Sequence, residues 1–411
     1  MKILFINTYD NFGGAAIAAW RLSKGLKKYY STRNIFIVGN KKSEESNVFA
    51  TTPSKIHWGI ERIIDRITNK LGLQYQWFPF SRKTILKISK ETKPDIISLH
   101  NSHGGYFEIS LLKKLSKIAP IVWTLHDMWC FTGHCTHAYD CQKWQKGCGD
   151  CPALEQYPKI GRDTTTFLWK QKEKIYKTAN ITIVTPSKWL AEEAKKNSLF
   201  KINKITHINN GINQEIFKPK NKKFCQYVLD IPKDTKVLMI GTDSIAKGKD
   251  IFFEVLKQIN RQINGRMHIL LVGSGGIDSL KKFSNFIVHY IGQFSSEIFM
   301  SICFNASDLF LLPTRADTLP NVLIESISCG TPCVTFDIGG CGEIIKNDIS
   351  GALVKPFDIK EFSNKILGLL NDDILLNKLS INARNYAIEN YNLKKMSENY
   401  YKLFKELIKR D

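Results

Sequence analysis

The sequence predicts an α/β chain of two doubly wound domains in tandem, each a parallel sheet covered by helices on both faces. Three observations lead there. The 411 residues exceed what one hydrophobic core usually organises. Short, continuous apolar runs rich in β-branched residues recur along the chain, as strands buried on both faces require. Helical or irregular sequence separates each run from the next, which is how crossover connections read.

In the first half the runs are "KILFI" (2–6), "NIFIVG" (34–39), "DIISLH" (95–100), "PIVWTLH" (120–126) and "ITIVTPS" (181–187). A glycine-containing turn and a helical pattern from Ala15 to Tyr30 follow the first of them. In the second half come "KVLMIG" (236–241), "MHILLVG" (267–273), "FIVHYIG" (286–292), "DLFLLPT" (308–314) and "PCVTFDIGG" (332–340). The stretch "NNGINQEIFKPKNKKF" (209–224) joins a turn signal, Pro219 and a lysine run, and marks the boundary. The expected division is a domain over 1–218, a second over 219–391, and a terminal helix over 392–411 that crosses back to the first.

Composition narrows the function classes. At 43% hydrophobic and 24% charged the chain is ordinarily globular. The N-terminal run is too short and too soon polar for a signal peptide, and no stretch approaches the ~18 apolar residues of a membrane span. A cytoplasmic chain is expected, in which clustered cysteines suggest metal before disulfide. The net charge of +21 calls for a partner, but no helix-turn-helix, RNA-recognition or finger-array signature accompanies it, so no nucleic acid is expected. An anionic membrane surface fits better. Residues 62–90 mix Arg62, Arg66, Lys70, Arg82, Lys83 and Lys87 with Tyr75, Trp77, Phe78 and Phe80, a composition suited to an interface or, alternatively, to aromatics capping a core.

Ligands of open parallel sheets bind beyond the carboxyl ends of the strands. "NTYDNFGGAA" follows the first strand, His100 and His126 end two others, and "PTRADTLPN" follows a strand of the second half. Gly13 and Gly14 let backbone approach a ligand at a helix start. In "PTRADTLPNVLIESISCGTPCVTFDIGG" (313–340), Asp317 in a loop and Glu325 in the next helix can reach one ligand from two sides. Loop amides from Thr318 through Leu319 and Pro320 to Asn321 point at its negative part. His100 and His103, in "LHNSHGG", are further candidates, and Cys329, Cys333 and Cys341 read as small packed hydrophobes.

That segment is similar to the signature of glycosyltransferase family 4, whose two acidic residues are separated by seven positions; here they are Asp317, where the family usually has Glu, and Glu325. "GGAA" (13–16), "TLHD" (124–127), "TPSKWL" (185–190), "NNGIN" (209–213) and "AKGKD" (246–250) fall in the family's order. "DMWCFTGHC" and the cysteines after it look like the branch found in colanic-acid and surface-polysaccharide clusters.

The resemblance implies a GT-B fold, two Rossmann-like domains facing a cleft, and transfer of a sugar from a nucleotide diphosphate sugar with retention of configuration. It also implies roles. Glu325 holds the ribose hydroxyls, Asp317 the donor sugar, Lys247 the diphosphate; Gly14 admits the phosphates, and His126 meets the donor sugar near the reacting carbon. No Asp-x-Asp occurs in the chain, so lysine and loop amides are expected to stand in for a divalent cation at the diphosphate, with no cofactor for catalysis. Where the family commonly places an Arg, five positions before the lysine, this chain has Thr242; Arg315 is the candidate replacement. The expected acceptor is a glycan on a lipid carrier at the inner face of the plasma membrane. Two rivals are a nucleotide-sugar epimerase of the same architecture and a noncatalytic zinc-stabilised scaffold at the membrane.

Cys135, Cys141, Cys148 and Cys151, spaced C-x5-C-x6-C-x2-C within an insertion over 130–151, can close a tetrahedral Zn²⁺ shell. His134 or His137 could replace one thiolate, and Cys130 reads as a bystander. With few apolar residues of its own, the insertion is expected to be clamped by that ion rather than to do chemistry.

Overall fold

A computed structural model describes residues 1–241, 247–263, 265–273, 280 and 282–409. The chain divides into two compact units, Met1–Gly211 with Lys394–Asp411, and Ile212–Leu393. In sequence the division falls at Gly211 and Ile212 rather than at the expected 218/219.

The first unit is built on a parallel sheet of β1 (Lys2–Tyr9), β2 (Arg33–Asn40), β3 (Val48–Ala50), β4 (Ile96–Leu99), β5 (Ile121–Thr124), β6 (Ile181–Thr185) and β7 (Ile205–His207). Its strand order is β3-β2-β1-β4-β5-β6-β7, so the winding reverses between β1 and β4. The middle of β1, Ile3–Ile6, and all of β4 and β5 are buried, which is why these strands read as continuous apolar runs. Ile6 and Leu99 sit in register at the carboxyl end of that central pair.

The second unit carries β8 (Val237–Gly241), β9 (Met267–Val272), β10 (Phe286–Gly292), β11 (Leu309–Leu312), β12 (Cys333–Phe336) and β13 (Gly351–Val354). Its order is β10-β9-β8-β11-β12-β13, again all parallel, with the reversal between β8 and β11. Cys329, Cys333 and Cys341 are buried in an apolar cluster with Leu312, Leu323 and Ile344, and burial raises each thiol well above its ordinary value.

The terminal helix, Leu393–Ile408, belongs with the first unit from Lys394 onward. Tyr400 and Thr124 share a hydrogen bond between hydroxyls at 2.9 Å, and Tyr401 stacks on Tyr30 with centroids 4.1 Å apart. Lys204 meets Glu406 at 3.2 Å. Among the described residues no helix is long and apolar enough to cross a membrane.

Candidate active site

In open parallel sheets the point where the winding reverses leaves a crevice beyond the strand ends, and ligands occupy it. Each unit has one such point, and most of the residues singled out above lie on one of them.

In the first unit, Gly13 (φ 84°) caps the helix Gly14–Tyr30, whose start has no side-chain cap and no acid in its first turn. A Cβ at Gly13 would meet nothing within 4 Å, so the backbone torsion, not crowding, demands glycine there. Asp10, just after β1, is buried and accepts hydrogen bonds from the amides of Lys42 (2.9 Å) and Ser43 (2.7 Å). Burial pushes its carboxyl up, and these bonds more than reverse that, leaving it lowered. Asp10 therefore pins the turn after β2 to the end of β1.

The ends of β4 and β5 bring four titratable groups together. His100 Nδ1 lies 3.0 Å from His126 Nε2, and the other nitrogen of His100 lies 3.1 Å from Ser98 Oγ. Burial, with the neighbouring imidazole second, holds His100 well below the usual histidine range, and burial brings His126 down to about 4. Both rings are neutral at physiological pH. One N–H must donate and one bare nitrogen accept across that contact. Beside them His103 Nε2 meets Asp127 Oδ2 at 2.7 Å. Burial alone would raise the Asp127 carboxyl, but His103 outweighs it and the carboxyl is lowered. The Asp127 side chain also accepts from the Trp129 amide at 2.9 Å. Residue types alone single out His126, His100 and His103; the missing member is Asp127, and its signal was its place directly after His126 in "TLHD".

In the second unit, Lys247 and Asp317 form an ion pair between the segments that follow β8 and β11. Two glycines make that approach feasible. Gly248 (φ +79°) packs so closely on Pro313 that a Cβ would stand 1.7 Å from its carbonyl oxygen. Gly339 (φ +58°) lies against Asp317, a Cβ there standing 1.9 Å from the Asp317 carbonyl, and Gly340 donates to that carbonyl at 3.1 Å. Glu325 is buried in the helix Asn321–Ser328. Arg315 pairs with Asp250 and lies over the Phe357 ring at 5.6 Å. Thr242, the position it was expected to replace, lies outside the described residues, as does Ala246 of "AKGKD".

The loop before the helix differs from expectation in one respect. Pro320 has no N–H and offers a ligand no donor, so Thr318, Leu319 and Asn321 carry the amides there. The Leu319 side chain belongs to the apolar core. Thr318 Oγ1 is buried and meets no hydrogen-bond partner among the described residues.

The structure does not gather Cys135, Cys141, Cys148 and Cys151 into a tetrahedral shell. Among the described residues no group of three or more His, Cys, Asp or Glu is arranged to hold a metal ion. Cys148 Sγ accepts from the Gly133 amide at 3.1 Å, and Cys151 Sγ lies 3.5 Å from His134 Nε2. Burial pushes the Cys135 thiol up to about 11 and the Cys148 thiol up to about 12. The expectation that the insertion lacks apolar support is also corrected. Phe131, Ala138 and Trp144 of the insertion, with Trp129 just before it, are buried in the unit's main core. The Tyr176 hydroxyl and Asn197 Nδ2 donate to the carbonyls of Cys130 and Phe131, each at 2.7 Å. Lys172, buried beneath Trp129 and 3.8 Å from its ring centroid, donates to the carbonyls of Trp129 (2.5 Å) and Thr132 (3.0 Å).

Known proteins share this architecture. Residues 12–216 match the model described as Glycosyltransferase Family 4, and residues 221–386 that described as Glycosyl transferases group 1. WcaC of Escherichia coli (strain K12), whose name provisionally makes it a colanic acid biosynthesis glycosyl transferase, is 24% identical over 279 residues, 63% of this chain and 64% of its own. The N,N'-diacetylbacillosaminyl-diphospho-undecaprenol alpha-1,3-N-acetylgalactosaminyltransferase of Campylobacter jejuni is 31% identical over 228 residues, 53% of this chain and 58% of its own. Each match thus spans less than two thirds of the relative. Sucrose-phosphate synthase from Thermosynechococcus elongatus superposes with a TM-score of 0.71 over 100% of both chains at 15% identity, a likeness of fold. With two parallel doubly wound units, an acidic pair separated by seven intervening residues and these matches, the chain belongs to glycosyltransferase family 4 and has the GT-B fold.

Proposed function

We propose that the protein transfers a sugar from a nucleotide diphosphate sugar to a lipid-linked glycan in bacterial surface-polysaccharide assembly, with retention of configuration. The observation that carries this reading is the Lys247–Asp317 pair at the winding reversal of the second unit, with Glu325 buried eight positions beyond Asp317. A diphosphate arriving there meets a cation already placed between the two central strand ends. It can take over the Lys247 ammonium from the Asp317 carboxylate, which frees that carboxylate for sugar hydroxyls. Glu325 accepts from the ribose hydroxyls.

As the bond from C1 to the diphosphate breaks, its electron pair leaves with the phosphate oxygen, and Lys247 and the loop amides stabilise that growing charge in place. The acceptor oxygen bonds C1 from the same face, and its proton passes to the departing oxygen. The neutral His100–His126 pair of the first unit suits hydrogen bonds to uncharged hydroxyls. The Campylobacter relative is named for a diphospho-undecaprenol acceptor, which supports a polyprenyl diphosphate glycan as acceptor here.

Calorimetric titration with UDP, GDP, ADP and CDP, with Glu325→Ala alongside, tests the reading. Binding of one nucleotide that Glu325→Ala loses is expected. Binding of none to the folded protein would overturn it and favour the scaffold. Release of an epimerised sugar without acceptor would favour the epimerase.

A further inference from the structure

The helix Lys55–Lys70 inverts the usual arrangement of a surface helix. Its acids point inward: Glu61 is buried and accepts from the amides of Phe80 (2.9 Å) and Ser81 (2.8 Å), while Asp65 is mostly covered and pairs with Arg62 at 3.7 Å. Its aliphatic residues point out. Ile56 is 75% exposed, Ile63 57%, Ile67 54%, and Ile60 and Leu71 are exposed with them. Their spacing of four, three, four and four residues puts them in one stripe about 24 Å long. Exposed Lys55, Arg66 and Lys70 run along one edge of the stripe, and Trp77, 60% exposed, follows a few residues on. Tyr75 and Phe78, which the sequence grouped with Trp77, are core residues instead.

A contiguous aliphatic face with no acid on it, edged by cations, is complementary to anionic lipid: the apolar stripe enters the acyl boundary and the basic edge meets headgroup phosphates. A protein partner of ordinary surface composition would bring carboxylates and hydrogen-bonding groups that this stripe cannot satisfy. The helix is also tied to the candidate site. Arg62 Nη1 donates to the Gly104 carbonyl at 3.3 Å, one residue beyond His103, and fills the space a Cβ on Gly105 would need.

We infer that the face Ile56–Ile60–Ile63–Ile67–Leu71 is a lipid-docking surface that seats the protein on an anionic bilayer. It holds the His103–Asp127 rim beside the headgroup layer, where a lipid-linked acceptor presents its sugar. That last purpose rests on the acceptor reading above; the binding itself does not.

Co-sedimentation of the full chain with vesicles tests the inference without any substrate. Vesicles of phosphatidylcholine alone are compared with vesicles in which about 30% of the lipid is phosphatidylglycerol. Partitioning at least about tenfold stronger onto the anionic vesicles is expected, weakening with salt. Ile63→Glu/Ile67→Glu should abolish it while leaving nucleotide titration and the urea midpoint unchanged, because both positions are exposed. Arg66→Glu/Lys70→Glu should erase the preference for anionic lipid. Equal, weak partitioning onto both vesicles, or a double Glu variant that pellets like wild type, would overturn the inference. So would a wild-type dimer that the Ile63→Glu/Ile67→Glu variant dissociates, since a second copy would then be the occupant. Nucleotide binding on the same preparation reports separately on the transferase reading.

Discussion

His100 and His126, twenty-six residues apart in sequence, share a hydrogen bond between ring nitrogens, 3.0 Å long, at the ends of neighbouring strands. Each ring fixes the other's tautomer, and burial keeps both from charging. The lowered native values mean that the unfolded chain takes up protons first as pH falls. Between about 6.5 and 4 the unfolded state therefore binds more protons, and stability is lost on acidification through that window. Urea midpoints measured across it should fall, and His126→Asn should flatten the fall. Parallel curves for the two proteins would mean that His126 charges freely in the native state.

The Lys247–Asp317 pair predicts an order of effects at the second unit's site. Lys247→Met should weaken nucleoside diphosphate binding by about 10- to 100-fold, the worth of a charge-assisted contact. Arg315→Ala should weaken it less, because that guanidinium is already engaged by Asp250 and Phe357. An unchanged value for Arg315→Ala would remove Arg315 from the diphosphate site.

Gly248→Ala should be costly. The new methyl would collide with the Pro313 carbonyl, a backbone group that cannot swing aside, at a torsion that disfavours alanine. Reduced urea stability together with lost nucleotide binding is expected. Gly59→Ala is the control: it lies inside the helix Lys55–Lys70, where a Cβ meets nothing within 4 Å, and should stabilise by up to about 1 kcal/mol. Gly248→Ala matching wild type in both measurements would show that the Lys247 segment does not depend on that approach.

Lys172 is buried and its ammonium pKa is lowered, by burial first, to about 8. Its native value lies below the unfolded one, so the unfolded chain holds the extra proton between about 8 and 10.5. Over that range this group makes stability rise with pH. Lys172→Met should remove that rise and, by stranding the Trp129 and Thr132 carbonyls, destabilise by about 1–3 kcal/mol near neutral pH. Limited proteolysis should then cut first within 130–151. An intact insertion in that variant would mean that its buried aromatics alone suffice.

Strands such as β4 and β5 were legible because burial on both faces leaves no polar alternation to confuse them with anything else. Val48–Ala50, Ile205–His207 and Gly351–Val354 were not, since three or four residues at a sheet edge carry too little pattern. The acidic pair and Lys247 were legible through a family signature. What was not is how they are held: Gly248 and Gly339 act through contacts with residues 65 and 22 positions distant, which no local spacing encodes. The cysteine insertion misled for a related reason. Besides its own buried Phe131, Ala138 and Trp144, it is held by Lys172, Tyr176 and Asn197 on later segments.

The contacts of Tyr400 with Thr124 and of Tyr401 with Tyr30 have a consequence for how the chain is made. The first unit begins at the first residue but is closed by residues after Leu393, with the whole of Ile212–Leu393 between. On a ribosome adding about 5–20 residues per second, those intervening ~180 residues take roughly 10–40 s to appear. For that interval the first unit waits with its seat for the terminal helix uncovered; at its end the second unit has every residue it needs, while the first still lacks the helix after Leu393. The second unit can thus complete its fold before the first, although it is synthesised later.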